Sequence, residues 1–185
     1  MARVPSQEVR VNHDIEWLKS LIRDVPDFPQ EGIVFKDITP LLADEVAFST
    51  VIDLITVHFG RGNVDKVVGI EARGFILASS VAYHFGAGFV PVRKKGKLPW
   101  ETESESYELE YGTETLQIHK DALQTGERVL VVDDVLATGG TARATARLVE
   151  RLGGKVMGIA CLIELGFLSG RDKIQDYEFY SLITY

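Results

Sequence analysis

At 185 residues, 45% hydrophobic and 25% charged, the chain has the composition of one ordinary globular domain with room for a core. Its net charge of -7 (20 Lys and Arg against 27 Asp and Glu) excludes nonspecific nucleic-acid binding, which needs a basic surface, but leaves room for a local basic site that takes a small anion. The single cysteine, Cys161, excludes an internal disulfide framework and makes a reducing, cytoplasmic compartment the default.

The first segment, MARVPSQEVRVNHDIEW, lacks the apolar core of a signal peptide, and no apolar run is long enough to span a membrane. HDIEWLKSLIRDV carries Ile15, Leu18, Leu21 and Ile22 at helical spacing, and PDFPQEG breaks it with two prolines and a glycine. IVFKDITPLL is a short apolar segment closing near Pro40. DEVAFSTVIDLITVHFG places Val46, Phe48, Val51, Ile52, Ile55 and Phe59 on one broad helical face, stopped by Gly60. KVVGI reads as a buried strand, EARGF as a turn, ILASSVAYHFG as a helix ending at Gly86, and GFVPVRK as the next strand. Residues 94–106, KKGKLPWETESES, turn from basic to acidic around Gly96 and Pro99 and read as a surface loop. YELEYGTETLQIH alternates with period two on both sides of Tyr111-Gly112, as a hairpin does. RVLVV is a buried strand, TARATARLVERLGG a helix closed by Gly153-Gly154, VMGIACLIEL an apolar strand and YEFYSLITY strand-like. Cys161, inside that apolar strand, reads as a core residue. The four histidines are scattered and give no zinc spacing.

Strands apolar on both faces, alternating with helices, indicate an α/β fold: a mostly parallel twisted sheet with helices on both faces. In such sheets ligands bind beyond the carboxyl ends of the strands. Three apolar runs end there in charge: VVGI before EARG, VPV before RKKG, and LVV before DDVLATGG.

The third of these carries the sharpest chemistry. A loop of small residues, Ala137-Thr138-Gly139-Gly140-Thr141, precedes a helix whose first N–H groups and dipole favour an anion. Thr138 and Thr141 add hydroxyl donors. G-x-x-x-x-G-K-[ST] and G-x-G-x-x-G are both absent, and the acids lack the alternate spacing of an EF-hand. Asp133 and Asp134 would repel phosphate, so they suit another part of the same ligand, either sugar hydroxyls or a metal ion. A phosphorylated ribose offers both a phosphate and vicinal hydroxyls. The bland alternative, solvated turn acids before a capped helix, does not account for the whole string from Val129 to Thr141.

VVDDVLATGGT resembles the phosphoribosyl diphosphate (PRPP) signature of the type I phosphoribosyltransferases, and within them the adenine phosphoribosyltransferases. PDFPQEGIVFKDITPLL, GIEARGF, VRKKGKLPW, YELEYGTETLQIHKDAL and CLIEL resemble further segments of that family in the same order. The resemblance implies one domain over 1–185, with a helix and base-binding hood over about 1–40 and a flexible lid loop and hairpin over 94–112. It implies that Ala137, Thr138, Gly139, Gly140 and Thr141 hold the 5′-phosphate and that Asp133 and Asp134 bind the ribose hydroxyls. Arg73, Arg93, Lys94 and Lys97 would contact diphosphate, with Mg2+ brought by PRPP and no metal site of the protein's own. Phe35 would stack on adenine while the backbone of Val34 and Lys36 reads its edge. Leu165 would cover the other face, and Phe28 is a weaker candidate for the same pocket. From the residues alone, IVFK reads instead as a core strand.

The acid–base residue is one of Glu108 and Glu110, which period two cannot separate. The family pattern LEYG points to Glu110, with Tyr111 closing over the site. The implied reaction joins adenine to PRPP, giving AMP and diphosphate, in a homodimeric cytoplasmic enzyme with no nucleic-acid or membrane partner. The alternatives are a transferase for another purine base, and a non-catalytic PRPP-sensing regulator. The regulator would need an added DNA-binding module and a basic face, and an acidic chain with one short leading helix supplies neither.

Overall fold

The computed structural model describes residues 7–108 and 112–185, with side chains from Asp14 onward. The chain divides into two compact units, Met1–Val51 and Ile52–Tyr185.

In the first unit, helix α1 (Gln7–Ser20) is followed by a two-stranded antiparallel sheet of β1 (Arg23–Pro26) and β2 (Val34–Asp37). The connection turns at Asp27, whose carboxylate accepts the Gly32 N–H at 2.8 Å. Asp37 receives both the N–H and the hydroxyl of Thr39, which starts the short helix α2 (Thr39–Ala43) with Pro40 in its first turn. Asp44 then caps α3 (Glu45–Phe59) through the Val46 and Ala47 amides. Of the face expected to be apolar on α3, Val51, Ile52, Ile55 and Phe59 are buried, whereas Val46 is exposed. Its place is taken by Ala47, which is buried with Val51 one turn further on.

The second unit is built on a seven-stranded sheet in the order β5-β6-β4-β3-β7-β8-β9. The strands are β3 (Lys66–Ile70), β4 (Gly88–Lys94), β5 (Thr102–Glu108), β6 (Thr113–His119), β7 (Arg128–Leu136), β8 (Lys155–Glu164) and β9 (Phe179–Thr184). From β4 to β9 neighbouring strands are parallel, and β5 and β6 add an antiparallel hairpin at the β4 edge. Helices cover both faces. Gly69 of β3 lies under α4 (Gly74–Phe85), where a Cβ would stand 2.7 Å from that of Ala78. Val68 and Ile70, pointing the other way, join the core of Ala142, Ala146, Leu148 and Val149 from α5 (Gly140–Arg151). Cys161 is fully buried within it. Among the described residues no helix is long and apolar enough to cross a membrane.

Two strands differ from the expectation. The acidic stretch read as loop over 94–106 is strand from Thr102 onward, paired with β6 from Thr102↔His119 to Glu108↔Thr113. Alternation explains it. Thr102 and Ser104 receive hydrogen bonds from the Gln117 amide, and Ser106 bonds Thr115. Glu103 and Glu105 take the other face and pair with Arg151 and Arg147 of α5. The acids of ETESES thus match a helix rather than solvent. The second difference is that β7 does not stop at Val132: it stays paired with β8 through Val135↔Ile163 and Leu136↔Glu164. Asp133 and Asp134 are therefore strand residues.

At the opposite end of the strands, Arg128 at the start of β7 clamps Asp65, Nε and Nη2 donating to its two oxygens at 2.9 and 2.8 Å. These bonds hold the Asp65 carboxyl down to about 2 from its ordinary 3.8. A carboxyl depressed by folding stabilises the fold above its unfolded pKa, and this is lost as pH falls through its folded value. Asp65→Asn is therefore expected to flatten the fall of Tm between pH 3.8 and about 2, as followed by circular dichroism. An unchanged slope would show that the clamp contributes nothing there.

Candidate active site

The site forms where β3 ends before β7 does. β3 pairs with β7 only as far as Gly69↔Val132, then turns at Glu71-Ala72-Arg73 into α4. The open edge of β7 beyond Val132 is met by Gly74, where a Cβ would stand 2.5 Å from Asp133 Oδ1 and 3.2 Å from its Cα. Only glycine permits that approach. It sets Arg73 beside the acids, its Nη2 2.7 Å from Asp134 Oδ2. Asp133 Oδ1 accepts the Asp134 N–H at 2.9 Å.

Burial pushes both aspartates upward, Asp133 most strongly because the Asp134 charge adds to it, while Arg73 and hydrogen bonds restrain Asp134. Asp134 is 5% exposed, so its charge depends on that guanidinium. The pair is thus primed to accept hydrogen bonds or face a developing cation, which would relieve the repulsion.

These groups line a cleft of about 370 Å3 together with Glu71, Lys94, Tyr107, Glu114 and Thr141. The three charged strand ends do meet here. Arg73, Arg93 and Lys94 each already have a carboxylate. Lys94 Nζ is 3.0 Å from Glu114, and Arg93 Nη2 is 2.8 Å from Glu71 while its Nη1 donates to the Lys97 carbonyl at 3.0 Å. Arg93 accordingly holds the Glu71 carboxyl below its usual range, and Glu114 raises the Lys94 ammonium. Arg93 acts in this structure as a brace between the Glu71 turn and the loop ending at Lys97, which is exposed.

The loop of Ala137, Thr138 and Gly139 follows β7, and α5 begins at Gly140. Gly139 has φ +77, and a Cβ on it would stand 2.3 Å from the Gly170 carbonyl oxygen. The Arg143 N–H bonds the Gly139 carbonyl as the first bond of the helix, so the amides of Gly140, Thr141 and Ala142 have no intrahelical acceptor. Thr138 is exposed, and the Thr141 hydroxyl donates to Tyr107 Oη at 3.0 Å. Such a loop can hold a dianion with neutral donors. Among the described residues no three His, Cys, Asp or Glu side chains cluster as a metal site.

The remaining predicted residues fall elsewhere. Val34, Phe35 and Lys36 lie on β2 of the first unit. None is buried, so the core-strand reading of IVFK does not hold. Phe35 meets Phe28 edge-to-face at 5.1 Å, and Lys36 Nζ is 2.6 Å from Asp24. Leu165 is half-buried at the end of β8, its N–H bonded to the Leu136 carbonyl at 2.9 Å. Glu110 and Tyr111 lie outside the described residues. Sequence reasoning missed Tyr107 and Glu114. Period-two alternation along β5 marks Tyr107 as inward, but a partner on α5 is not visible from the strand itself.

Residues 39–183 match the model of the phosphoribosyl transferase domain. The adenine phosphoribosyltransferase of Koribacter versatilis is 56% identical over 168 residues, covering 91% of this chain and 92% of its own. The crystal structure of adenine phosphoribosyltransferase from Rhodothermus marinus superposes with a TM-score of 0.91 at 52% identity, over 94% of this chain and 99% of that one. The enzyme from Saccharomyces cerevisiae, crystallised with an imino-altritol bisphosphate and adenine, gives 0.88 at 39% identity, over 92% of this chain and 99% of that one. By the family model over residues 39–183 and by these relatives, the chain belongs to the phosphoribosyltransferase family, among the adenine phosphoribosyltransferases.

Proposed function

We propose that the protein transfers the 5-phosphoribosyl group of PRPP to adenine, releasing diphosphate and giving AMP. The observation that carries this reading is the pair of half-buried Asp133 and buried Asp134, the latter tied to Arg73, set beside the Thr138-Gly139-Gly140-Thr141 loop. The loop holds the 5′-phosphate through the amides that open α5. The aspartates accept the ribose 2′ and 3′ hydroxyls and stabilise positive charge on the sugar as the C1–O bond to diphosphate breaks.

Arg73, Lys94 and Lys97 hold the diphosphate, with Arg93 shaping the loop that carries the two lysines. The cleft is lined by four carboxylates (Glu71, Glu114, Asp133, Asp134) against two cations (Arg73, Lys94). That excess disfavours a bare polyanion, and Mg2+ entering with PRPP as part of the substrate offsets it. Val34, Phe35, Lys36 and Leu165 bind adenine. Glu110 takes the proton from the purine nitrogen as the new bond forms, Tyr111 closes over the site, and the lid loop excludes water from the activated sugar. The two units act as one transferase domain in a cytoplasmic homodimer.

Incubating the protein with PRPP and Mg2+ and with adenine, hypoxanthine or guanine in turn tests the reading. Nucleotide is expected with adenine and at most traces with the others. Absence of AMP would sink it.

A further inference from the structure

We propose that Arg143 and Lys173 form the cationic wall of the 5′-phosphate site and recognise the phosphomonoester dianion of the phosphoribosyl ligand. The inference rests on the reading of the Thr138–Thr141 loop as a phosphate cradle, and adds to it the charge that the loop lacks.

The loop itself offers a dianion only neutral donors, and two carboxylates stand nearby in β7. The cations of the main cleft are engaged elsewhere, Arg73 with Asp134 and Lys94 with Glu114. Across Gly140 lies a second cleft of about 350 Å3, where Arg143, Arg147 and Lys173 face Tyr107, Glu105 and Glu108. Arg147 is bound to Glu105 at 3.1 Å. Arg143 and Lys173 have no carboxylate within 4.0 Å among the described residues. Glu108 is exposed on the opposite wall and is the one acid there not taken up by a described ion pair.

Both stems start at the phosphate loop. Arg143 is the residue whose amide makes the first bond of α5, back to Gly139. Lys173 ends the turn Gly170–Lys173, and its Cβ is 3.2 Å from where a Cβ on Gly139 would stand. That turn is itself fixed. Arg171 Nη2 donates to the buried Glu164 at 2.7 Å, and the Ser181 hydroxyl donates to the same carboxylate at 2.9 Å. A guanidinium and an ammonium presented from rigid elements beside free helix-terminal amides supply the charge-assisted bonds that a phosphate dianion favours.

The test separates the two ends of PRPP. Dissociation constants for ribose 5-phosphate and for diphosphate with Mg2+ would be measured by calorimetry for wild type, Lys173→Met, Lys173→Arg and Arg143→Met. Each Met variant is expected to weaken ribose 5-phosphate roughly tenfold, the scale of one charged hydrogen bond. Diphosphate affinity stays unchanged, and Lys173→Arg restores most of the loss. Lys173 is exposed, so its replacement leaves folding intact. Unchanged ribose 5-phosphate affinity in both Met variants, or an equal loss for diphosphate, would overturn the inference. Wild type that binds no ribose 5-phosphate would overturn the cradle reading beneath it.

Discussion

Asp133→Asn is expected to melt at a higher temperature than the ligand-free wild type at neutral pH, and to lose most of its ability to use PRPP. The Asp133 carboxyl is pushed well up by burial and by the neighbouring Asp134 charge. An acid whose pKa is raised by folding is most stabilising when protonated. Its contribution is fully present below the unfolded pKa and is lost as pH rises through the folded value. At neutral pH, above its unfolded value, the Asp133 carboxyl therefore works against the fold. Asparagine removes the titrating carboxyl and keeps an Oδ1 to accept the Asp134 N–H.

The gain should be on the order of 1 kcal/mol, or about 2–4 °C in Tm for a chain of this size. kcat/KM for PRPP should fall by about 100- to 1000-fold, as when one preorganised electrostatic partner of a transition state is removed. Wild type should also gain stability relative to Asp133→Asn as pH drops from neutral. A variant that melts lower than wild type at neutral pH would show that the pair is held by contacts that outweigh its repulsion.

Gly139→Ala should be the most damaging single methyl group in the phosphate loop. Its φ of +77 costs a residue with a Cβ about 1–2 kcal/mol. Relaxing that residue does not relieve the contact, because the Cβ would stand 2.3 Å from the Gly170 oxygen. Nor can the partner readily give way: a Cβ on Gly170 would itself stand 2.2 Å from the Ala137 oxygen, and the turn is tied through Arg171 to Glu164. The loop must shift, and a displacement of about 1 Å at a positioned group costs on the order of 100-fold in rate. PRPP affinity by calorimetry should fall by a similar factor while adenine affinity holds. Gly62 is the control, having a positive φ with nothing within 4 Å of its Cβ. Equal losses in Gly62→Ala and Gly139→Ala would refute the packing argument.

The resemblance named candidate site residues before any coordinates, and the local pattern that carries them was legible for a reason. A phosphate loop is a local object: small residues, a helix start and two acids within thirteen positions of one another. The strands KVVGI and GFVPVRK and the helix after Thr141 were legible for the same reason, since periodicity and stop signals act over a few residues. ETESESYE was misread because its polarity looks like solvent exposure until Arg147 and Arg151 are placed across from Glu105 and Glu103. The core reading of IVFK failed in the opposite sense, since an apolar strand need not be buried when its sheet has only two strands.

By itself, then, the sequence determined the α/β class, the order of most elements, and a loop of small residues preceded by two adjacent acids. Only the tertiary structure decided that those acids sit within a strand, since β7 outlasts β3 on one side while β8 continues on the other. It alone decided which cations are committed to Glu71, Glu114 and Asp134 and which, among the described residues, have no carboxylate partner at the loop. The physical reason is the same in both cases. Backbone pairing and ion pairing join residues 20 to 60 positions apart, as Arg93 joins Glu71 and Arg73 joins Asp134, and no local period records which partner a charge will meet.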